Sequence, residues 1–137
     1  MNWKRIWTGT LLAGVIYFAL DFVINGIWLK PTWELVLLSG SIKTVKPYTT
    51  LPIIDFGIGF VLIWLYASAR PRLGPGPKTA LCMGTLAWFL LYVPLAFMQW
   101  FWFRLPTNIP ITYLVAGLFQ CWVSIYLAGW QYIERAP

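Results

Sequence analysis

Four apolar runs divide the 137-residue chain, and each is close to the roughly 20 residues that a helix needs to cross about 30 Å of hydrocarbon. They run from Ile6 to Leu29, Leu51 to Ala69, Thr79 to Phe103 and Ile109 to Ile133. Backbone amides and carbonyls in lipid must be paired within the chain, so each run is expected to be a helix. Composition agrees: 60% of the residues are hydrophobic and 10% are charged, against roughly 25% charged in a soluble domain. The predicted fold is all-α, a single integral membrane domain over residues 1–137 built as a four-transmembrane-helix bundle.

The breaks between the runs are strong ones. Arg70 to Lys78 reads Arg-Pro-Arg-Leu-Gly-Pro-Gly-Pro-Lys, a connection rich in turn formers, and Arg104 to Asn108 is a tight turn. Lys30 to Thr50 is longer. Within it, Pro31 opens and Ser39-Gly40-Ser41 closes a short helical stretch. It is expected to lie on the outer surface with Trp33 and the leucines in lipid, or to cover a polar cavity as a lid.

Four spans put both termini on one side. Lys4, Arg5, Arg70, Arg72, Lys78 and Arg135 fall there, whereas Lys30, Lys43, Lys46 and Arg104 fall on the other. Short cytoplasmic segments retain Lys and Arg, which predicts cytoplasmic termini. Lys4 and Arg5 resemble the start of a signal peptide, yet the following run is long enough to span and lacks a clear cleavage site, so the first helix is expected to remain as an anchor. The net charge of +6 reflects cations at the helix ends. It points to membrane lipids as partners and not to nucleic acid.

Ten Trp, seven Tyr and nine Phe are a heavy aromatic load. Trp3, Trp7, Trp28, Trp33, Trp100, Trp102 and Trp130 fall near helix ends, where amphipathic rings anchor at headgroup level. Trp64, Trp88 and Trp122 lie deeper, suited to helix packing or to a cage or stacking platform. Gly9, Gly14, Gly57, Gly59, Gly84, Gly117 and Gly129 offer close helix contacts. Pro94 is expected to kink the third span and to free a carbonyl near Leu90. Cys82 and Cys121 should lie at different depths and remain unpaired.

Asp21 stands out in the first run, because a carboxylate within a membrane needs a partner or a purpose. Tyr17, Asp21 and Asn25 follow an i, i+4, i+8 spacing and share one helical face. Counting 1.5 Å per residue puts Asp21 and Gln120 on the order of 12 to 14 Å from the outer helix ends, with Asn25, Asp55 and Gln99 at about half that depth. Convergence of Asp21, Asn25, Asp55, Gln99 and Gln120 would form a polar pocket in the outer half, suited to a proton or a cation. The alternative is interhelical hydrogen-bond glue, with Asp55 at a wet helix start beside Thr49 and Thr50.

The chain contains no histidine, which removes the usual haem axial ligand and the commonest transition-metal ligand. There is no C-x-x-C, G-x-S-x-G, H-E-x-x-H, Walker loop or dinucleotide fingerprint, and Gly74-Pro75-Gly76-Pro77 is too proline-rich to cradle a phosphate with backbone amides. No enzyme, cofactor or metal is expected.

The opening Asn2-Trp3-Lys4-Arg5, Asn25-Gly26 with Trp33 downstream, and Tyr66 to Ala80 ending in Gly74-Pro75-Gly76-Pro77-Lys78-Thr79-Ala80 resemble a loose group of small four-helix bacterial membrane proteins. The resemblance extends over most of the chain and implies this topology in a bacterial inner membrane, without an activity or a catalytic residue. In size and helix number the chain is also similar to small multidrug exporters, whose characteristic glutamate in the first span is replaced by Asp21 at a deeper, outer position. The leading expectation is a non-enzymatic accessory or structural subunit of a larger membrane complex, an energy-transducing one being a candidate. The alternative is a small homo-oligomeric transporter or channel with Asp21 as its proton or cation site.

Overall fold

A computed structural model describes residues 2–40 and 47–132, side chains of 47–50 excepted. Ser41, Lys43, Lys46, Ile133, Arg135 and the side chains of Thr49 and Thr50 lie outside the described residues. The helices are α1 (Trp3–Val23), α2 (Lys30–Leu38), α3 (Pro47–Leu73), α4 (Pro77–Phe97) and α5 (Asn108–Trp130). Four helical stretches are long and apolar enough to cross a membrane: Trp3–Trp28, Leu51–Leu73, Pro77–Trp102 and Asn108–Trp130. The protein is a multi-pass helical bundle.

The termini of these helices follow local chemistry. Asn2 caps α1 by accepting from the Arg5 amide, and Pro31 sits in the first turn of α2. Gly40 ends α2 at a φ of 68°, a conformation that glycine adopts without steric cost. The second span runs past the expected end at Ala69 to Leu73. Pro71 removes only one amide near the last turn, so the helix continues until Gly74, whose φ is 80°. The α3–α4 connection is therefore only Gly74-Pro75-Gly76, tied by Thr79 Oγ1 donating to the Gly74 carbonyl at 2.7 Å.

Both α1 and α4 widen into a π-helical turn at the same end of the bundle, over Ile24–Trp28 and Met98–Trp102. The Leu29 amide reaches the Ile24 carbonyl at 2.7 Å, and Phe103 reaches Met98 at 3.1 Å. π turns are rare and favour functional positions. Pro94 lies inside α4, one turn before this widening. Arg104 then takes a φ of 48°, which lets the Leu105 amide bond back to Gln99 O at 3.0 Å.

Two hairpins, α1 with α3 and α4 with α5, pack side by side through α1 with α5 and α3 with both α4 and α5. They share a sequence register. Gly9-Thr10-Leu11 followed by Tyr17 recurs as Gly84-Thr85-Leu86 followed by Tyr92 at the same spacing. Pro52-Ile53, Gly59 and Trp64 recur likewise as Pro110-Ile111, Gly117 and Trp122. Burial repeats as well: Gly59, Leu62, Ile63, Tyr66 and Ala67 on α3 match Gly117, Gln120, Cys121, Ser124 and Ile125 on α5, all buried.

Small residues set the helix spacing. A Cβ on Gly59 would lie 2.8 Å from the Gly14 nitrogen, so the α1 and α3 backbones touch there. Gly117 similarly receives the Tyr92 ring. Gly57, expected to allow a close approach, faces open space, because Gly59 and not Gly57 lies on the contact stripe. Ile6, Ala13, Tyr17, Ile63, Tyr92 and Ile125 belong to the main core, and large apolar side chains such as Leu11, Val15, Phe22 and Phe89 cover the outside. Lipid is the solvent that tolerates such a surface.

Candidate functional site

The α1 face carrying Tyr17, Asp21 and Asn25 turns inward, with Asp21 8% exposed. Asn25 stands just beyond the α-helical part, in the π turn. Its Nδ2 donates to Asp21 Oδ1 at 2.9 Å. Its Oδ1 accepts two bonds from separate elements: Trp33 Nε1 of α2 at 3.0 Å and the Tyr113 hydroxyl of α5 at 2.8 Å. One carboxamide thus joins three helices and orients the acid.

Asp55 on α3 is 2% exposed, and its carboxylate is close enough to Asp21 for the two charges to interact. Its Oδ2 has no hydrogen-bond partner. On α5, Gln120 accepts from the Tyr92 hydroxyl at 3.2 Å. Its Nε2 side approaches Asp21 without closing a bond of good geometry, and that nitrogen is unpartnered. Buried polar groups are nearly always paired. Here a carboxylate oxygen and an amide nitrogen are left open in one cluster.

Of the five predicted residues, the structure brings Asp21, Asn25, Asp55 and Gln120 together. Gln99 is buried in the π turn after α4, but no hydrogen bond links it to the other four, and its Oε1 has no partner. Asp55 is buried within the bundle and not at a wet helix start. Tyr92 and Tyr113 were hidden among the aromatic load, although Tyr113 and Gln120 are two helical turns apart and share a face. Their rings lie 6.3 Å apart beside the cluster.

Trp33 is half-buried and uses its indole N–H on the site. The other end-placed tryptophans, Trp3, Trp7, Trp28, Trp100, Trp102 and Trp130, are exposed. Trp88 and Trp122 connect helices, donating to the Leu114 carbonyl at 2.8 Å and to Thr85 Oγ1 at 2.9 Å, whereas Trp64 is exposed. Helix α2 is tied to the bundle by more than Trp33. Asn108 Nδ2 donates to Thr32 Oγ1 at 2.7 Å, and Leu29, Val36, Leu105 and Ile109 form an apolar seam beneath α2.

Chemically, the site offers two carboxylates, two carboxamides and two phenols in a low-dielectric setting. Among the described residues no three His, Cys, Asp or Glu side chains gather as a metal-ligand set. Oxygen acceptors with one or two negative charges suit a proton or a monovalent cation. No protein family, curated protein or solved structure matches the chain.

Proposed function

We propose that the chain is a small membrane transporter or channel whose Asp21 and Asp55 carboxylates bind a proton or a monovalent cation. The observation that carries this reading is Asp55 Oδ2, buried without a partner in the same cluster as Asp21. Structural glue pairs its polar atoms, and an acid held open in lipid has a better use as a binding site. In this reading the termini are cytoplasmic, the membrane is a bacterial inner membrane, and α2 lies at the outer surface as a cover. The exposed tryptophans form its aromatic belts.

Isothermal titration of the purified chain with sodium, potassium or methylammonium tests the proposal. One of these binds saturably, and Asp21→Asn weakens that binding by roughly tenfold or more. Absence of binding by all three, together with no proton uptake across the pH range in which the protein stays folded, would sink it.

A second reading is the accessory subunit of a larger membrane complex. It is favoured by an exposed aromatic patch at the end of α4, where Phe97 and Phe101 stack at 5.9 Å and Trp100 stacks on Phe101 at 6.4 Å. Purification in mild detergent separates the readings: stoichiometric recovery of other chains supports the subunit, and a homo-oligomer supports the transporter.

A further inference from the structure

At the terminus-bearing end, opposite the acidic cluster, a groove of about 420 Å³ opens between the α3–α4 turn and the end of α5. Tyr66 lines it and is only 4% exposed. Its hydroxyl accepts from the Gly76 amide at 3.3 Å, leaving its own proton for a further acceptor. Arg70 forms a wall. One guanidinium N–H goes to the Tyr132 carbonyl at 2.6 Å, and the cation sits 5.4 Å from the centre of the Tyr132 ring. These contacts fix Arg70 while its other N–H groups have no protein acceptor among the described residues.

Helix α4 also begins at the edge of this groove. Gly76 and Pro77 line it, and no N-cap side chain bonds the first amides of α4, whose dipole has its positive end there. Lys4, Arg5, Arg72 and Lys78 occupy the same end of the bundle as Arg70, whereas the described acids Asp21, Glu34 and Asp55 belong to the other half. The rim is amphipathic: Trp130 and Tyr126 are exposed beside Leu127 and Ala80.

The geometry points to a binding groove for an anionic phospholipid, its phosphate held by Arg70, Tyr66 and the start of α4, and its chains lying along the exposed apolar side of α5. Free phosphate offers the same charge, but it would leave the apolar wall and the aromatic rim unused. A lipid uses both, and a groove at the end of the spans is where a headgroup lies.

Native mass spectrometry of the full chain in neutral detergent tests this with phosphatidylglycerol, phosphatidylcholine of the same chain length, and inorganic phosphate. Phosphatidylglycerol is held about tenfold more tightly than phosphatidylcholine, the size of one charge-assisted hydrogen bond. Arg70→Gln removes that preference and Arg72→Gln keeps it. Tyr66→Phe, which retains the ring and gives up only the Gly76 amide contact, weakens phosphatidylglycerol several-fold while the chain stays folded; this variant carries the test if Arg70→Gln does not fold. Equal retention of the two lipids, or phosphatidylglycerol binding unchanged by Tyr66→Phe, overturns the assignment. Inorganic phosphate bound as tightly as phosphatidylglycerol does so too, and would make the groove a small-anion site.

Discussion

The first hairpin, α1 with α3, and the second, α4 with α5, match at Gly9 and Gly84, Tyr17 and Tyr92, Gly59 and Gly117, and Trp64 and Trp122. At the same register Asp21 is matched by Ala96, Asp55 by Tyr113, and Gln120 by Leu62. The matched glycines lie at helix contacts, and the Tyr92 ring seats on Gly117. The positions that differ include the members of the polar cluster. The hairpins thus separate scaffold from chemistry, with the acids confined to the first and phenol and carboxamide supplied opposite by the second.

The largest expected effect comes from breaking a shared position. Gly59→Leu places a side chain where the α1 backbone already lies 2.8 Å from a Cβ. Equilibrium unfolding in mixed detergent should show a loss of about 3 kcal/mol or more. A loss below about 1 kcal/mol would mean that this contact does not set the helix spacing.

Exchanging a position that differs should do the reverse. Asp21→Ala, which installs the second hairpin's residue, leaves the fold within about 1 kcal/mol of the parent, because it deletes a charge whose burial is costly. It should lower cation affinity by roughly tenfold or more in titration calorimetry. Unfolding of this variant would instead make Asp21 part of the scaffold.

A smaller effect follows at Gln120→Leu, the counterpart of Leu62. The variant loses the acceptor of Tyr92, a cost of about 1 kcal/mol, and also loses an unpartnered amide nitrogen, so net stability changes little. Cation affinity falls several-fold. The smallest change is Trp33→Phe, which removes one hydrogen bond to Asn25, worth about 1 kcal/mol. It is expected to speed cation release in stopped-flow measurements while leaving the midpoint of thermal unfolding nearly in place. Unchanged release would deny α2 its covering role.

Much of the scaffold was legible from the residues. Apolar run length located all four spans, and the Gly and Pro clusters located the turns, although Pro71 lies inside α3 because a proline one turn from a helix end costs little. The i, i+4 spacing put Asp21 and Asn25 on one inward face. Depth put Gln120 level with Asp21 but grouped Asp55 with Gln99 at about half that depth, and level carries no information about rotation around the helix axis. Tyr92, Tyr113 and Trp33 were obscured by their chemistry. An aromatic with a polar handle reads equally as an interfacial anchor or as a donor to a buried site. The π turns left no mark in composition, and they decide where Asn25 and Gln99 point.

The central claim, that Asp21 and Asp55 form a transport-competent proton or cation site, is tested most directly by ion flux into proteoliposomes of the purified chain. A gradient of protons, sodium, potassium or methylammonium should dissipate faster than in empty vesicles, and Asp21→Asn and Asp55→Asn should each return the rate to the empty-vesicle value while the protein stays folded. Flux equal to empty vesicles for all four gradients, or flux unaffected by both substitutions, would contradict the account.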